Sequence, residues 1–229
     1  MASVVAAVVA IACVRLGLWQ LDRLEQRRAV NSHIIARLSA PAVPPSALPT
    51  DPGAARFRRV TASGHYDFER EIVLGARTRQ GSPGVHLVTP LLLDSGEAVL
   101  VNRGWVYSPD ARRVDLSAWR EPGRVMVSGY IDTFATPDGR GRSGPDGRVW
   151  WRLDGEALSR WLPYPVRPYY IVAVGDSAAI PPGTPVRVGV PSLDDGPHRG
   201  YAFQWFSFAA IALVGVAVLI RQDVRRGRQ

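Results

Sequence analysis

The sequence predicts a membrane protein with two transmembrane α-helices flanking a mainly β (α+β) extracytoplasmic domain, an antiparallel sheet or barrel-like body. Three observations point there: an uncharged run from Tyr201 to Ile220, a second apolar stretch at the N-terminus, and short strand-forming segments between them, broken by turn residues. The 229 residues suit one ordinary domain with appendages. Mean hydropathy is near zero, at -0.03, because apolar ends offset a middle of ordinary soluble composition.

From the N-terminus, MASVVAAVVAIACV is apolar and resumes after Arg15 as LGLWQL. At about 1.5 Å per residue, Val4 to Leu21 crosses a hydrocarbon core of about 30 Å provided Arg15 snorkels or faces protein. The stretch lacks the positive n-region of a cleaved signal or a lipoprotein signal, so residues 1–21 are expected as a retained helix with Cys13 unmodified inside it. LDRLEQRRAVNSHIIARL continues as an amphipathic helix, and SAPAVPPSALPTDPG then reads as a Pro-rich linker that no helix tolerates, residues 22–55 together.

The folded region is expected from Arg56 to residue 197. Strands are predicted at Phe57 to Tyr66, Glu71 to Arg77, Val85 to Leu93, Ala98 to Tyr107, Arg124 to Asp132, Arg148 to Leu153, Tyr169 to Val174 and Val186 to Val190. The third and fourth form a hairpin turning at Ser95-Gly96. The best helix is Gly155 to Trp161, stopped by Pro163 and Pro165. Thr136 to Arg148, rich in Gly, Pro and charge, reads as a mobile solvated loop.

Residues 198–220 form the second helix, and 221–229 an Arg-rich tail. Arg221, Arg225, Arg226 and Arg228 keep that tail in the cytoplasm by the positive-inside rule, placing both termini inside and the central domain outside the cell membrane. Arg15, Arg23, Arg27 and Arg28 oppose this orientation, so the C-terminal cluster has to dominate it.

Composition excludes several functions. All basic residues are Arg and the net charge is +8, yet they are scattered, and their tightest cluster adjoins an apolar run; no nucleic-acid partner is expected. A single cysteine rules out an intramolecular disulfide and any copper or zinc site built on paired thiolates. There is no phosphate-binding Gly-rich loop, nucleophile elbow or helical pair of metal-ligating histidines. His33, His65, His86 and His198 are far apart, although His65 and His86 sit in predicted strands that folding could bring together, with Asp67 and Glu69 in a turn beside His65. No catalytic residue is assigned and an enzyme is not expected. A membrane-anchored cell-envelope enzyme of unassigned activity and a cofactor-free structural scaffold stand as the alternatives.

Three motifs carry a resemblance. Leu16-Gly17-Leu18-Trp19-Gln20-Leu21-Asp22-Arg23-Leu24, then Val99-Leu100-Val101-Asn102-Arg103-Gly104-Trp105-Val106 preceded by Thr89-Pro90-Leu91, and finally His198-Arg199-Gly200-Tyr201-Ala202-Phe203-Gln204-Trp205-Phe206 resemble the surfeit locus (SURF/Shy-type) family of cytochrome c oxidase assembly factors. Val149-Trp150-Trp151-Arg152-Leu153-Asp154 and Pro168-Tyr169-Tyr170 add agreement. The resemblance implies help in building the haem-containing catalytic subunit of a terminal oxidase, with haem a bound transiently or handed over. Implied partners are oxidase subunit I and other oxidase assembly factors, beside the lipid bilayer, with self-association left open.

Under that resemblance His198 is the candidate haem-iron ligand, with Tyr201 and Trp205 flanking the porphyrin. On a helix, His198, Tyr201, Ala202, Trp205 and Phe208 share a face; the other reading of His198 is an interfacial anchor. Trp19, Gln20, Arg23, Asn102, Arg103, Gly104 and Trp105 are assigned to a partner-binding or structural motif. Strand alternation puts Arg103 and Trp105 on one side and Asn102 and Gly104 on the other. Arg103 is expected as a structural charge at a strand end or part of a docking surface.

Overall fold

The computed structural model describes residues 2–135, 142–143, 147–175 and 183–226. The chain divides into two compact units: the barrel unit, Ala36–Pro191, and the helical unit, Met1–Ile35 with Ser192–Gln229.

The barrel unit contains strands β1 (Arg59–Tyr66), β2 (Ile72–Arg79), β3 (Ser82–Leu93), β4 (Ala98–Tyr107), β5 (Arg124–Thr133), β6 (Arg142–Ser143), β7 (Val149–Trp150) and β8 (Val166–Ala173). Antiparallel β1–β3, β3–β4, β1–β5 and β5–β8 ladders, with a parallel β4–β8 pairing, close a five-stranded ring. The β5-β1-β3-β4 order is a Greek key, and closure leaves the ring no free edge. Val60, Ala62, Leu91, Val99, Val101, Val127, Ile131 and Ile171 fill its interior. Their spacing of two along each strand is the alternation that marks a half-buried sheet.

β1 and β2 lie in succession along one edge of β3, interrupted by a 3-10 turn at Phe68–Arg70. Pro90 of β3 sits opposite the interruption. Its carbonyl accepts from Asp67 N at 2.9 Å, so its missing N–H faces the gap, where no strand needs a donor. β7 and β6 extend the sheet beyond β2. Helix α3 (Gly155–Trp161) packs Leu158 into a second cluster with Ile72, Leu74, Val88, Leu100 and Trp150. Asp154 caps it, accepting from Glu156 N and Ala157 N.

Several expectations need correction. The Pro-rich stretch is not a free linker: Val43 bridges Val60, Leu48 and Ala55 join the barrel core, and the unit begins at Ala36 rather than Arg56. A one-turn helix, α2 (Pro52–Ala55), even starts on a proline, at the N-terminal position where the missing N–H costs nothing. Val186 to Val190 is not a strand; a single bridge joins Val186 to Trp105. Arg148 to Leu153 pairs only at Val149–Trp150, because Asp154 commits the following chain to α3. The mobile-loop expectation for 136–148 falls largely outside the described residues.

α1 (Ala2–Ser39), of which residues 36–39 belong to the barrel unit, begins the chain, and α4 (His198–Arg226) lies wholly in the helical unit. Both are long and apolar enough to cross a membrane. α1 stops where Ala40 precedes Pro41, a position that disfavours helix. Its buried residues are Ala10, Cys13, Gly17, Gln20, Leu24 and Asn31, at the three-and-four spacing of a helix-pairing seam. Ala202 and Ala209 are the buried residues of α4. Small residues let helices approach closely, and Gly17 illustrates it: a Cβ there would lie 2.6 Å from the Phe206 ring.

Candidate functional site

Two polar centres emerge, one in each unit. In the barrel, Arg103 comes from the middle of β4 and is wholly buried. Its Nη1 donates to Glu71 Oε1 at 2.7 Å and to Thr89 Oγ1 at 3.5 Å. Its Nε and Nη2 donate to Glu121 Oε1 at 3.1 and 2.8 Å, and Nη2 also reaches the Trp119 carbonyl. The rings of Tyr66 and Phe68 lie 5.0 and 5.2 Å from the guanidinium carbon. Arg187 completes the cluster, donating to the Arg103 carbonyl at 2.6 Å and to Glu121 Oε2 at 3.1 Å. Burial pushes the Glu71 carboxyl above its usual range; the Thr89 hydroxyl, donating at 2.7 Å, and Arg103 pull it back only in part.

The neighbours of Arg103 follow from the same design. A bulge between Leu87 and Val88 breaks the ladder beside it, so strict alternation does not run from Asn102 to Trp105. Gly104 has φ 138°, and a Cβ would overlap the Val186 carbonyl, which instead accepts from Trp105 N at 2.7 Å. Glycine therefore admits the chain that carries Arg187. Asn102 Nδ2 meets His86 Nδ1 at 3.1 Å. Burial, with the charge of Arg77, lowers the His86 pKa to about 4, so the ring is neutral and Nδ1 accepts.

In the helical unit, His198 Nδ1 is 2.8 Å from Gln20 Oε1. α1 positions Gln20 on its seam, and the first residue of α4 brings the imidazole to it. Below them Asn31 Nδ2 donates to the Asp194 carbonyl at 2.9 Å, and Arg28 pairs with Asp195 at 2.6 Å, fixing the segment that leads into α4. Trp205 and Phe208 form a T-shaped pair 5.9 Å apart about two to three turns further on.

A family model described as the SURF1 family matches residues 7–210. The chain belongs to the SURF1 family. A SURF1-like protein of Monosiga brevicollis is 27% identical, over 92% of this chain and 84% of its own length. An uncharacterized SURF1-like protein of Mycobacterium bovis is 26% identical over 92% and 79%, and a SURF1-like protein of Rickettsia bellii 24% over 95% and 90%.

In this SURF1-family chain the three motifs separate into distinct jobs. Arg103 lies neither at a strand end nor on a docking surface: mid-strand and fully enclosed, it offers nothing to a partner. Trp105 is half-buried, with Arg79 5.9 Å from its ring centre. Trp19 and Arg23 stack on each other on the exposed side of α1, away from the seam. On the helical face expected around His198, Ala202 is buried, Trp205 half-buried, and Tyr201 and Phe208 exposed. His65 and His86 do not meet. His65 pairs with Leu92 and His86 lies six residues further along β3, about 20 Å at the rise of a strand. Among the described residues no His, Cys, Asp and Glu group could hold a metal ion by itself. Glu71, Glu121 and Arg187 were not foreseen; a lone Arg inside an apolar strand is the signal that asks for such partners. The Gln20–His198 bond was also missed, although the seam spacing of Ala10, Cys13, Gly17, Gln20 and Leu24 places Gln20 on the pairing face.

Proposed function

We propose that this SURF1-family chain is a membrane-anchored, non-enzymatic assembly factor for a haem-copper terminal oxidase, holding haem a beside the nascent catalytic subunit during cofactor insertion. The family is generally associated with oxidase assembly. Anchoring is supported by the helical unit, where Val4, Ile11, Phe203 and Ile211 expose apolar side chains that water penalises and acyl chains accept. Arg225 and Arg226 in the last turn of α4 favour cytoplasmic termini and an extracytoplasmic barrel.

The observation that carries the reading is the 2.8 Å contact of His198 with Gln20. An amide oxygen only accepts, so the proton sits on Nδ1 and the lone pair on Nε2, the tautomer in which imidazole ligates a metal. Haem a, when bound, would supply an iron centre able to take an imidazole ligand and a broad apolar ring. His198 fits the first requirement, and the Trp205 and Phe208 rings fit the second.

The test is the absorption spectrum of the protein purified from cells that make haem a. A haem band is expected in wild type, abolished or shifted in His198→Ala, and unchanged in His65→Ala and His86→Ala. Equal haem occupancy in wild type and His198→Ala at equal protein level removes His198 from the site. No haem band in any of them leaves the scaffold reading.

A further inference from the structure

The barrel unit carries a cavity of about 350 Å³ lined by Arg56, Leu74, Arg77, Asp132, Arg152 and Tyr170, with Phe134 and Leu153 completing its wall. That volume lies within the roughly 300–1,000 Å³ of small-molecule sites. Two of its charges answer each other: Arg56 Nε donates to Asp132 Oδ1 at 2.9 Å, and Asp132 Oδ2 also accepts from the Tyr170 hydroxyl at 3.2 Å. Arg77 is different. Its Nη1 donates to the carbonyls of Gly75 and Ala76 and its Nη2 to that of Trp151, at 3.0, 3.4 and 3.0 Å, and no carboxylate meets it among the described residues.

Partial burial lowers the pKa of Arg77 from its ordinary value, yet a guanidinium stays protonated, so among the described residues this cation has no carboxylate counter-ion. Backbone conformation is committed to placing it. β2 bulges between Leu74 and Arg77, and Ala76 takes φ 54°, a left-handed conformation that residues with a side chain rarely adopt. Ala76 N is tied in that state to the Ala111 carbonyl at 3.0 Å.

We propose that the cavity binds the phosphate group of a small amphipathic molecule, with Arg77 as its principal counter-ion. A carboxylate is satisfied by one guanidinium fork, whereas the several oxygens of a phosphate can be shared among the guanidinium groups that line this wall. Leu74, Leu153 and Phe134 give the remainder of the ligand an apolar face. A soluble phosphate ester and a phospholipid headgroup present the same group.

Isothermal titration of the full chain in neutral detergent separates these sources, one arm using glycerol 3-phosphate and the other a short-chain phosphatidylglycerol. Saturable binding is expected in at least one arm, and the arm with the tighter Kd identifies the source. Arg77→Gln should weaken it by about tenfold or more, the loss of a charge-assisted contact. Arg113→Gln, at an exposed position outside the cavity, should leave it unchanged. Arg77→Lys keeps the charge and loses the fork, so an intermediate Kd is expected, and it decides the matter if the Gln variant does not fold. Failure of both probes to bind wild type, or equal Kd values for wild type and a folded Arg77 variant, overturns the proposal.

Discussion

Arg103 in the barrel and His198 at the head of α4 are both polar groups set among apolar neighbours by a short motif, and they differ in what they leave unspent. Arg103 has five N–H groups and makes five hydrogen bonds, to Glu71, Thr89, Glu121 and the Trp119 carbonyl. His198 commits one ring nitrogen to Gln20, and the other meets no hydrogen-bond partner among the described residues. A fully satisfied charge belongs to folding. A half-satisfied imidazole at the first residue of an apolar helix fits the ligand role proposed for it. His86 stands between them, half-buried on β3 with one nitrogen bonded to Asn102.

That contrast is broken most directly at Arg103. Arg103→Ala leaves Glu71 buried and unpaired and is expected to destabilise the protein by about 3–5 kcal/mol. Thermal unfolding of the detergent-solubilised chain by near-ultraviolet circular dichroism measures it; a melt like that of wild type would mean that the barrel does not depend on the cluster. Arg103→Lys should fall well short of rescue, because an ammonium cannot bond Glu71 and Glu121 in the geometry of the fork.

The next effect depends on pH. The His86 pKa is about 4 in the fold and 6.5 without it, so between those values the unfolded chain binds more protons. Stability is therefore intact above pH 6.5 and is lost as pH falls toward 4, by roughly 3 kcal/mol at about 1.4 kcal/mol per pKa unit. His86→Gln keeps an acceptor for Asn102 and does not titrate. Its stability should fall less steeply than that of wild type through this window, and parallel curves from denaturant titrations at several pH values would show that His86 is not the titrating group.

The smallest effect sharpens the other side of the comparison. Gln20→Leu removes one hydrogen bond, worth about 1 kcal/mol, and releases the tautomer of His198. Nitrogen-15 NMR of labelled histidine should show the His198 proton localised on Nδ1 in wild type and shared between the two nitrogens in the variant. Identical spectra would mean that Gln20 does not set the tautomer.

Local signals made part of this legible from the chain alone. Helix Gly155–Trp161 and strand Ala98–Tyr107 are read to the residue, because Asp154 caps one, prolines stop it, and the Ser95-Gly96 turn starts the other. Ring closure was not readable, since β1–β3 and β4–β8 pairings join distant segments and no local pattern announces which strands will meet. Val186 misled for the opposite reason: its β-branched neighbourhood favours a strand, but only Trp105 is there to pair with it. The cluster around Arg103 is non-local too, with Glu71 and Glu121 at sequence distances of 32 and 18. The helix seam, in contrast, is written in the spacing of Ala10, Cys13, Gly17, Gln20 and Leu24, where the uniform hydropathy of the run masks it.

Along that seam, Gln20 is the only side chain with an amide between Ala10 and Leu24. If α4 slid by one helical turn, His198 would face Gly17 or Leu24 and lose its acceptor. An apolar seam of small residues holds two helices together while leaving their longitudinal setting cheap to change; buried polar contacts along it, Gln20 to His198 and Asn31 to the Asp194 carbonyl, make a single setting preferred, as a buried polar residue does in a coiled coil. The bond that orients the imidazole is thus also a gauge of how far one helix has moved along the other, and the availability of Nε2 is tied to that position.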